Sequence, residues 1–139
     1  MLRKSAPYGG SWNCSKSCAV AESAAPSVLQ ACRENVDFVL SNCGITDYFS
    51  CIVSGDRVTR CKPDPEIYLL AAEGLHLPSA ECLVFEDARV GITAARRAGA
   101  GRIVALATTL PRHTLATQTE ADVVIDDFAS ITDLDALLS

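Results

Sequence analysis

The sequence predicts an α/β fold with a Rossmann-like parallel sheet, and two observations carry this prediction. Short apolar runs alternate along the chain with segments whose apolar residues recur at helical spacing. The run from Cys82 to Phe85 is apolar without interruption, as is typical of a parallel strand covered on both faces. Strands that alternate with helices predict one sheet whose parallel strands are joined by right-handed crossovers.

The predicted elements follow a polar lead. Residues 1–16 lack periodicity and contain glycine, so they predict a disordered lead ahead of one core domain over residues 17–139. Asp64 is suited to cap a helix that has Pro65 as its first residue. No element is predicted for residues 24–31. The predicted strands are 18–21, 48–53, 82–85, 102–107 and 122–125, and the predicted helices are 34–43, 65–75, 92–98 and 131–138.

Charge and composition exclude several classes of partner. The formal net charge is −5, which argues against nucleic acid or an anionic membrane surface as a partner. No apolar run approaches the roughly 20 residues of a membrane span, and no apolar signal core follows Met1. The seven cysteines form no CxxC pair and only two histidines accompany them, which argues against a structural zinc site. Their odd number favours reduced thiols in the cytoplasm, with a disulfide framework as the alternative.

An acidic pair follows the predicted strand 82–85. In an open parallel sheet, ligands bind beyond the carboxyl ends of the strands, so Glu86 and Asp87 are expected at that edge. Mg²⁺ binds carboxylate oxygens and substrate phosphate. Asp87 is therefore the predicted metal ligand, with Glu86 as a second ligand or as a hydrogen-bond acceptor beside the ligands. Gly91 would allow the backbone to approach closely. The alternative is that the pair only caps a helix or lies in a solvated turn.

Lys62 lies in a loop restricted by Pro63 and Pro65, ahead of a predicted helix. A lysine at the same edge of the sheet can neutralise a phosphoryl group during its transfer. The alternative is a solvated surface charge. The two motifs together are more specific than either one alone.

Combined with Gly91-Ile92 and the segment 94–99, the segments 62–68 and 82–87 resemble the haloacid dehalogenase superfamily, in its β-phosphoglucomutase-like branch. The segments 54–56 and 121–126 are also similar to that family, and the resemblance covers about residues 33–139. It implies that Lys62 is the third-motif lysine and that Glu86 and Asp87 are the fourth-motif acidic pair of a Mg²⁺ site. It also implies a phosphatase or phosphomutase that acts on a small phosphorylated metabolite such as a sugar phosphate.

The N-terminal part departs from the family pattern. The resemblance implies a nucleophilic aspartate in a DxD motif after an apolar strand, and then a cap domain, and neither is found. The only DxD, Asp133-Leu134-Asp135, belongs to a helix-like ending. Strand 18–21 is assigned to the second motif, whose phosphate-binding residue would be Ser23 after a shift of one position. Glu22 in that place would repel phosphate.

A core without its nucleophile strand predicts both inactivity and an open sheet. Phosphate-monoester hydrolysis needs up to about 10²¹-fold acceleration, whereas one electrostatic donor supplies about 10²–10³. Two inner strands would keep unpaired backbone groups. We therefore expect that residues 1–16 close the gap, that a second chain pairs with these strands, or that the chain stays partly disordered. Pairing with a second chain would include self-association. Three functions compete: an enzyme whose N-terminal part is encoded elsewhere or lost, a non-catalytic module that binds phosphate or a partner, and a degenerate gene product.

Overall fold

The computed structural model describes residues 18–20, 28–31, 51–54 and 57–131, together with Asn42. The predicted lead, Ser23 and nearly all of the predicted helices 34–43 and 131–138 lie outside the described residues. The side chains discussed below belong to Val53 and to residues 57–131.

Six described strands form one sheet with the order β3-β2-β1-β4-β5-β6. Strands β2 and β3 are parallel to each other, and β4, β5 and β6 form a second parallel group. Helices separate β3 from β4, β4 from β5 and β5 from β6, so the predicted α/β class is confirmed. The strands are β1 (Cys18–Val20), β2 (Val28–Ala31), β3 (Cys51–Ser54), β4 (Leu83–Glu86), β5 (Arg102–Leu106) and β6 (Val123–Ile125).

Strand β1 lies between the two parallel groups and runs antiparallel to both neighbours. Ala19 is opposite Leu29 on one side and Phe85 on the other. The prediction of a gap closed by residues 1–16 or by another chain was therefore wrong, because residues 18–20 pair with both inner strands. Self-association through sheet edges stays a prediction. Among the described strands, only the outer strands β3 and β6 have an edge at which a second chain could pair.

The assignment of the second-motif strand to residues 18–21 was also wrong. The strand parallel to β3 is β2, with Val28 opposite Cys51 and Ala31 opposite Ser54, and it lies in the stretch that received no predicted element. Small residues surround Val28 and Leu29, so the apolar signal there is short. The formation of strand β2 therefore depends on its pairing with β3, which is distant in sequence.

Three described helices connect the strands: α1 (Glu66–Leu75), α2 (Arg89–Arg97) and α3 (Arg112–Gln118). Helix α1 begins one residue after the predicted start, but Pro65 already has helical dihedral angles. The Asp64 carboxylate accepts a hydrogen bond from the backbone N–H of Glu66 at 3.0 Å, which is the expected contact of a helix cap. Helix α2 begins three residues before the predicted start, and α3 was not predicted. Ser79–Glu81 and Phe128–Ser130 are short 3₁₀ turns.

The main core lies where α1 and α2 cover one face of the sheet. Ile67 and Leu75 of α1 and Ile92 of α2 belong to one buried cluster with Val84 and Ile103. A second buried cluster contains Leu83, Phe85, Val104, Leu106 and Ile125. Because β4 is buried along its whole length, the prediction that it is covered on both faces is confirmed. No helix among the described ranges combines the length and apolarity needed to cross a bilayer.

Asp122 joins the end of the sheet to helix α2. Its carboxylate accepts hydrogen bonds from the backbone N–H of Ile103 and from Arg96 Nη2, both at 2.7 Å. Burial raises the pKa of Asp122, but the hydrogen bonds from Arg96 and Ile103 and the charges of Arg96 and Arg102 outweigh it, so that the pKa is lowered from 3.8. A lowered pKa in the folded state means that the ionised carboxylate stabilises the fold.

We expect Asp122→Asn to lower the free energy of unfolding by about 1 kcal/mol at pH 7, because both hydrogen bonds lose their ionic acceptor. The contribution of Asp122 is complete above its unfolded-state pKa and is lost as the pH falls through the lower folded-state pKa. The difference between variant and parent should therefore shrink towards pH 3. Urea unfolding at several pH values measures it. Asp126→Asn is the control, since Asp126 forms an exposed ion pair with Arg112; an equal effect of both substitutions would contradict the role of Asp122.

Candidate active site

Polar side chains gather at the carboxyl edge of the β4–β5 pair. Glu86 is the last residue of β4 and Asp87 follows it, while Thr109 lies three residues after the end of β5. Parallel strands end at the same edge of a sheet, which brings these residues together even though Asp87 and Thr109 are 22 positions apart.

Glu86 is the most heavily bonded side chain of this group and is only 2% exposed. Its Oε1 atom accepts hydrogen bonds from Lys62 Nζ and from the Tyr68 hydroxyl, the latter at 2.6 Å. Its Oε2 atom accepts from the backbone N–H groups of Asp87 at 3.2 Å and Ala88 at 3.3 Å. Both carboxylate oxygens are therefore engaged by the protein itself.

The Lys62–Glu86 ion pair allows this carboxylate to be buried. An ionised carboxyl group without a partner would be very costly in the interior. The Lys62 side chain is 22% exposed, and its Nζ atom lies 5.1 Å from the centre of the Tyr68 ring, a distance at which a cation is attracted to the ring. Tyr68 thus contacts both members of the pair, and α1 is tied to the site through it.

The loop that carries Lys62 is held at several points. The Lys62–Pro63 peptide bond is cis, and the Pro63 carbonyl accepts a hydrogen bond from Arg97 Nη1 at 3.0 Å. The N–H of Asp64 donates to the carbonyl of Cys61 at 3.0 Å. The loop is therefore bonded internally as well as to helix α2.

A second carboxylate fastens the start of the same loop. Glu66 Oε2 accepts from the backbone N–H groups of Thr59 at 2.9 Å and Arg60 at 2.7 Å. The hydrogen bond from the Thr59 N–H is the main cause that lowers the pKa of Glu66. The two ends of segment 59–66 are thus joined by hydrogen bonds, and Lys62, which donates to Glu86, lies between them.

Asp87 is 5% exposed and differs from Glu86 in its partners. Its Oδ2 atom accepts a hydrogen bond from Thr109 Oγ1 at 2.5 Å. Its Oδ1 atom has no hydrogen-bond partner among the described residues. Of the four oxygens of the acidic pair, Asp87 Oδ1 is the one that the described residues leave for a ligand.

Gly91, the third residue of α2, lies directly against the Glu86 carboxylate. A Cβ atom at this position would be 2.1 Å from Glu86 Cδ and 2.2 Å from Oε2. The close approach that the sequence predicts at Gly91 therefore exists, and the group that it accommodates is Glu86.

The donor set fits a hard divalent cation at Asp87 better than at Glu86. A free carboxylate oxygen is a suitable Mg²⁺ ligand, and Mg²⁺ typically uses one or two protein carboxylates and keeps several waters. Both oxygens of Glu86 already accept hydrogen bonds, which supports its alternative role beside the ligands. Within the described ranges no cluster of three or more His, Cys, Asp or Glu side chains could hold a metal ion.

The sequence-predicted residues are thus partly brought together. Lys62 contacts Glu86, and Asp87 is adjacent to Glu86, whereas Ser23 lies outside the described residues. Their roles toward metal and phosphate stay predictions.

Tyr68 and Thr109 were missed. Tyr68 lies six positions after Lys62 within the first turn of α1, and Thr109 follows the strand next to β4, so both could have been found from the predicted edge of the sheet. An open groove beside α1, lined by residues such as Arg60, Leu69 and Glu73, does not include this site.

Comparison with known proteins identifies the family. A model of haloacid dehalogenase-like hydrolases matches residues 28–99, just over half of the chain. The chain belongs to the haloacid dehalogenase-like hydrolase family. The match begins at the first residue of β2 and includes Lys62, Glu86 and Asp87.

Individual relatives lead to the same family. Validoxylamine A 7'-phosphate phosphatase of Streptomyces hygroscopicus subsp. limoneus is 37% identical over 99 residues, which are 71% of this chain and 45% of the relative. Phosphorylated carbohydrates phosphatase of Thermotoga maritima is 50% identical over 56 residues, 40% of this chain and 26% of the relative. The crystal structure of a putative beta-phosphoglucomutase from Thermotoga maritima superposes with a TM-score of 0.64 at 32% identity, covering 70% of this chain and 46% of that chain. The chain spans less than half the length of each of these relatives.

We expect Gly91→Ala to lower the free energy of unfolding by about 1–3 kcal/mol, because the new methyl group overlaps a carboxylate that four donors hold in place. Thermal or urea unfolding measures the change. Val90→Ala is the matched control, since it places the same side chain in the same helical turn at an exposed position. Equal stability of the two variants would mean that Glu86 can move aside.

Proposed function

We propose that the chain is the metal- and phosphate-binding part of a phosphoryl-transfer domain of the phosphatase or phosphomutase type. The observation that carries the proposal is the Lys62–Glu86 ion pair beside Asp87 at the carboxyl edge of the sheet. The ammonium group of Lys62 lies there, and the residue next to its ion-pair partner has one carboxylate oxygen that the described residues leave without a donor. A phosphate ester with its Mg²⁺ ion needs both kinds of group.

Lys62 supplies the positive charge in this proposal. An ammonium group has three N–H donors, and Glu86 accepts from one of them. The other two have no partner among the described residues and are available to phosphate oxygens. The contacts to Glu86 and Tyr68 orient the side chain, so that less rotamer freedom is lost when phosphate binds.

Asp87 supplies the metal ligand. Its Oδ1 atom would bind Mg²⁺, and Thr109 would hold the carboxylate in place through Oδ2. When bound, the ion would withdraw charge from the phosphoryl oxygens. Glu86 contributes indirectly, because its carboxylate fixes Lys62 and, through the backbone N–H, the position of Asp87.

The substrate in this proposal is a small phosphorylated metabolite of the sugar-phosphate kind, and the compartment is the cytoplasm. Support for the substrate comes from the relatives, which include a phosphatase of phosphorylated carbohydrates and a putative beta-phosphoglucomutase. Phosphate is the group that the Lys62 ammonium would bind, and it is common to all of these substrates.

The chain alone is proposed to bind without turnover. The first aspartate in the sequence is Asp37, and the strand between β2 and β4 is Cys18-Ala19-Val20, so no aspartate lies on the strand in the middle of the sheet. The same observation favours the second candidate function, a non-catalytic module that binds phosphate or a partner. The two candidates differ in turnover once an aspartate-bearing strand is supplied.

Mg²⁺ should stabilise the chain, and Asp87→Asn should abolish this effect. At about ten times its Kd, a ligand that binds only the folded state adds roughly 1.4 kcal/mol to the free energy of unfolding. The asparagine removes the charge of the carboxylate but keeps its shape. Thermal unfolding with and without MgCl₂ measures the shift, and Asp126→Asn is the exposed control. A shift that persists in Asp87→Asn would refute the role of Asp87.

Inorganic phosphate should bind more weakly by about 10- to 100-fold when the charge of Lys62 is removed, because a hydrogen bond to a charged group contributes about 1.5–3 kcal/mol. Lys62→Met alone would leave Glu86 buried as an unpaired anion. The comparison is therefore between Glu86→Gln and the double variant Lys62→Met/Glu86→Gln, by calorimetric titration in MgCl₂.

Arg60→Met controls for the loss of a cation from the same loop, since the Arg60 side chain is 75% exposed. Equal phosphate affinity of the double variant and Glu86→Gln would contradict phosphate binding by Lys62 and would mean that its charge serves only to pair with Glu86. Turnover of p-nitrophenyl phosphate should stay at the background rate for the unaltered chain, and turnover would contradict the proposed inactivity.

A further inference from the structure

The two carboxylates of the acidic pair are engaged unequally. Glu86 Oε1 and Oε2 each accept two hydrogen bonds, and Asp87 Oδ2 accepts one from Thr109. Asp87 Oδ1 is therefore the single oxygen of the pair without a described donor. A cation that binds here meets one carboxylate oxygen unless it displaces Thr109.

We propose that Thr109 restricts Asp87 to monodentate metal binding and thereby determines the preference of the site for Mg²⁺ over Ca²⁺. Thr109 is a positioning residue in this proposal, because it acts on the cation through Asp87. The inference rests on the proposed role of Asp87 as a metal ligand and goes beyond it, since it assigns ion selectivity to a residue of a different strand-end loop.

The coordination chemistry of the two ions supports this assignment. Mg²⁺ requires nearly octahedral geometry at about 2.0–2.1 Å and is typically bound by few carboxylates with several waters. Ca²⁺ takes 6–8 oxygens at about 2.3–2.6 Å and commonly binds both oxygens of a carboxylate. A hydroxyl that donates to Oδ2 is compatible with the first arrangement and competes directly with the second.

The neighbouring carboxylate does not offer Ca²⁺ a substitute. Glu86 would have to lose the ammonium group of Lys62 and the hydroxyl of Tyr68 at Oε1, or two backbone N–H groups at Oε2. The first change would break the ion pair of a buried carboxylate, and the second would leave the buried backbone N–H of Asp87 unsatisfied, which costs about 1–3 kcal/mol. The choice between monodentate and bidentate binding is therefore made at Asp87, where Thr109 is the competing donor.

The test measures the dissociation constants of MgCl₂ and CaCl₂ for the full chain by calorimetric titration, without substrate. Removal of a hydrogen bond behind a metal ligand typically changes metal affinity by about 10- to 100-fold. In Thr109→Val, which keeps the side-chain shape, we expect the ratio of the Ca²⁺ constant to the Mg²⁺ constant to fall by about tenfold. Thr109→Ser, which restores the hydroxyl, should return the ratio to the parent value.

Thr108→Val is the matched control, because Thr108 precedes Thr109 in the same loop, is exposed as Thr109 is, and has no hydrogen bond to the acidic pair. An unchanged ratio in Thr109→Val, or the same change in Thr108→Val, would overturn the inference about Thr109. If Mg²⁺ binding by the unaltered chain is lost in Asp87→Asn, the proposed metal ligand holds regardless of that result. Failure of the unaltered chain to bind either ion would overturn both proposals.

Discussion

The buried carboxylate of Glu86 is the interaction on which the rest of the site depends. It lies at the end of β4 and receives donors from the loop before α1, from α1 itself and from the turn into α2. Helix α2 can approach because residue 91 has no side chain. Since an unpaired carboxylate at 2% exposure would be strongly destabilising, the fold of these three segments and the charge of Lys62 stabilise one another. The geometry of the site is thus a consequence of satisfying one buried anion.

The direction of β1 is the second constraint, because it decides which residues reach the edge of the sheet where Glu86 lies. Val20, the carboxyl end of β1, is opposite Val28 and Val84, which lie near the amino ends of their strands. The chain therefore leaves β1 at the edge opposite Glu86, whereas β2, β3, β4 and β5 all deliver their following loops to the edge where Glu86 lies. A short apolar strand can fill the middle of the sheet in either direction, since backbone pairing satisfies its polar groups both ways. Only the parallel direction would bring residues after the strand to Lys62 and Asp87.

The sequence predicted the elements whose signals are local and missed those that depend on distant partners. β4, β5 and α1 were predicted within one or two residues, because a run of apolar residues or a helical repeat suffices for them. Lys62 and Glu86 were both identified from strand-end loops and the family resemblance, although they are 24 positions apart. The strand β2 and the direction of β1 could not be predicted, because each is decided by pairing with strands formed elsewhere in the chain. Tyr68 and Thr109 could have been named as candidates from the predicted edge of the sheet, but their hydrogen bonds depend on the relative placement of elements, which no local pattern encodes.

The unequal engagement of the two carboxylates has a consequence for how such a domain can change its function. Glu86 is saturated by protein donors and stabilises the fold with or without a ligand, while Asp87 keeps one oxygen outside the hydrogen-bond network. The side chain that stabilises the fold and the side chain with an oxygen left for the proposed ligand are therefore different, although they are one position apart. Loss of a nucleophile from another strand does not disturb the contacts of Glu86, because none of its four donors comes from β1. The buried ion pair therefore holds Lys62, Glu86 and Asp87 at this edge of the sheet, whichever residues the strand in the middle of the sheet carries.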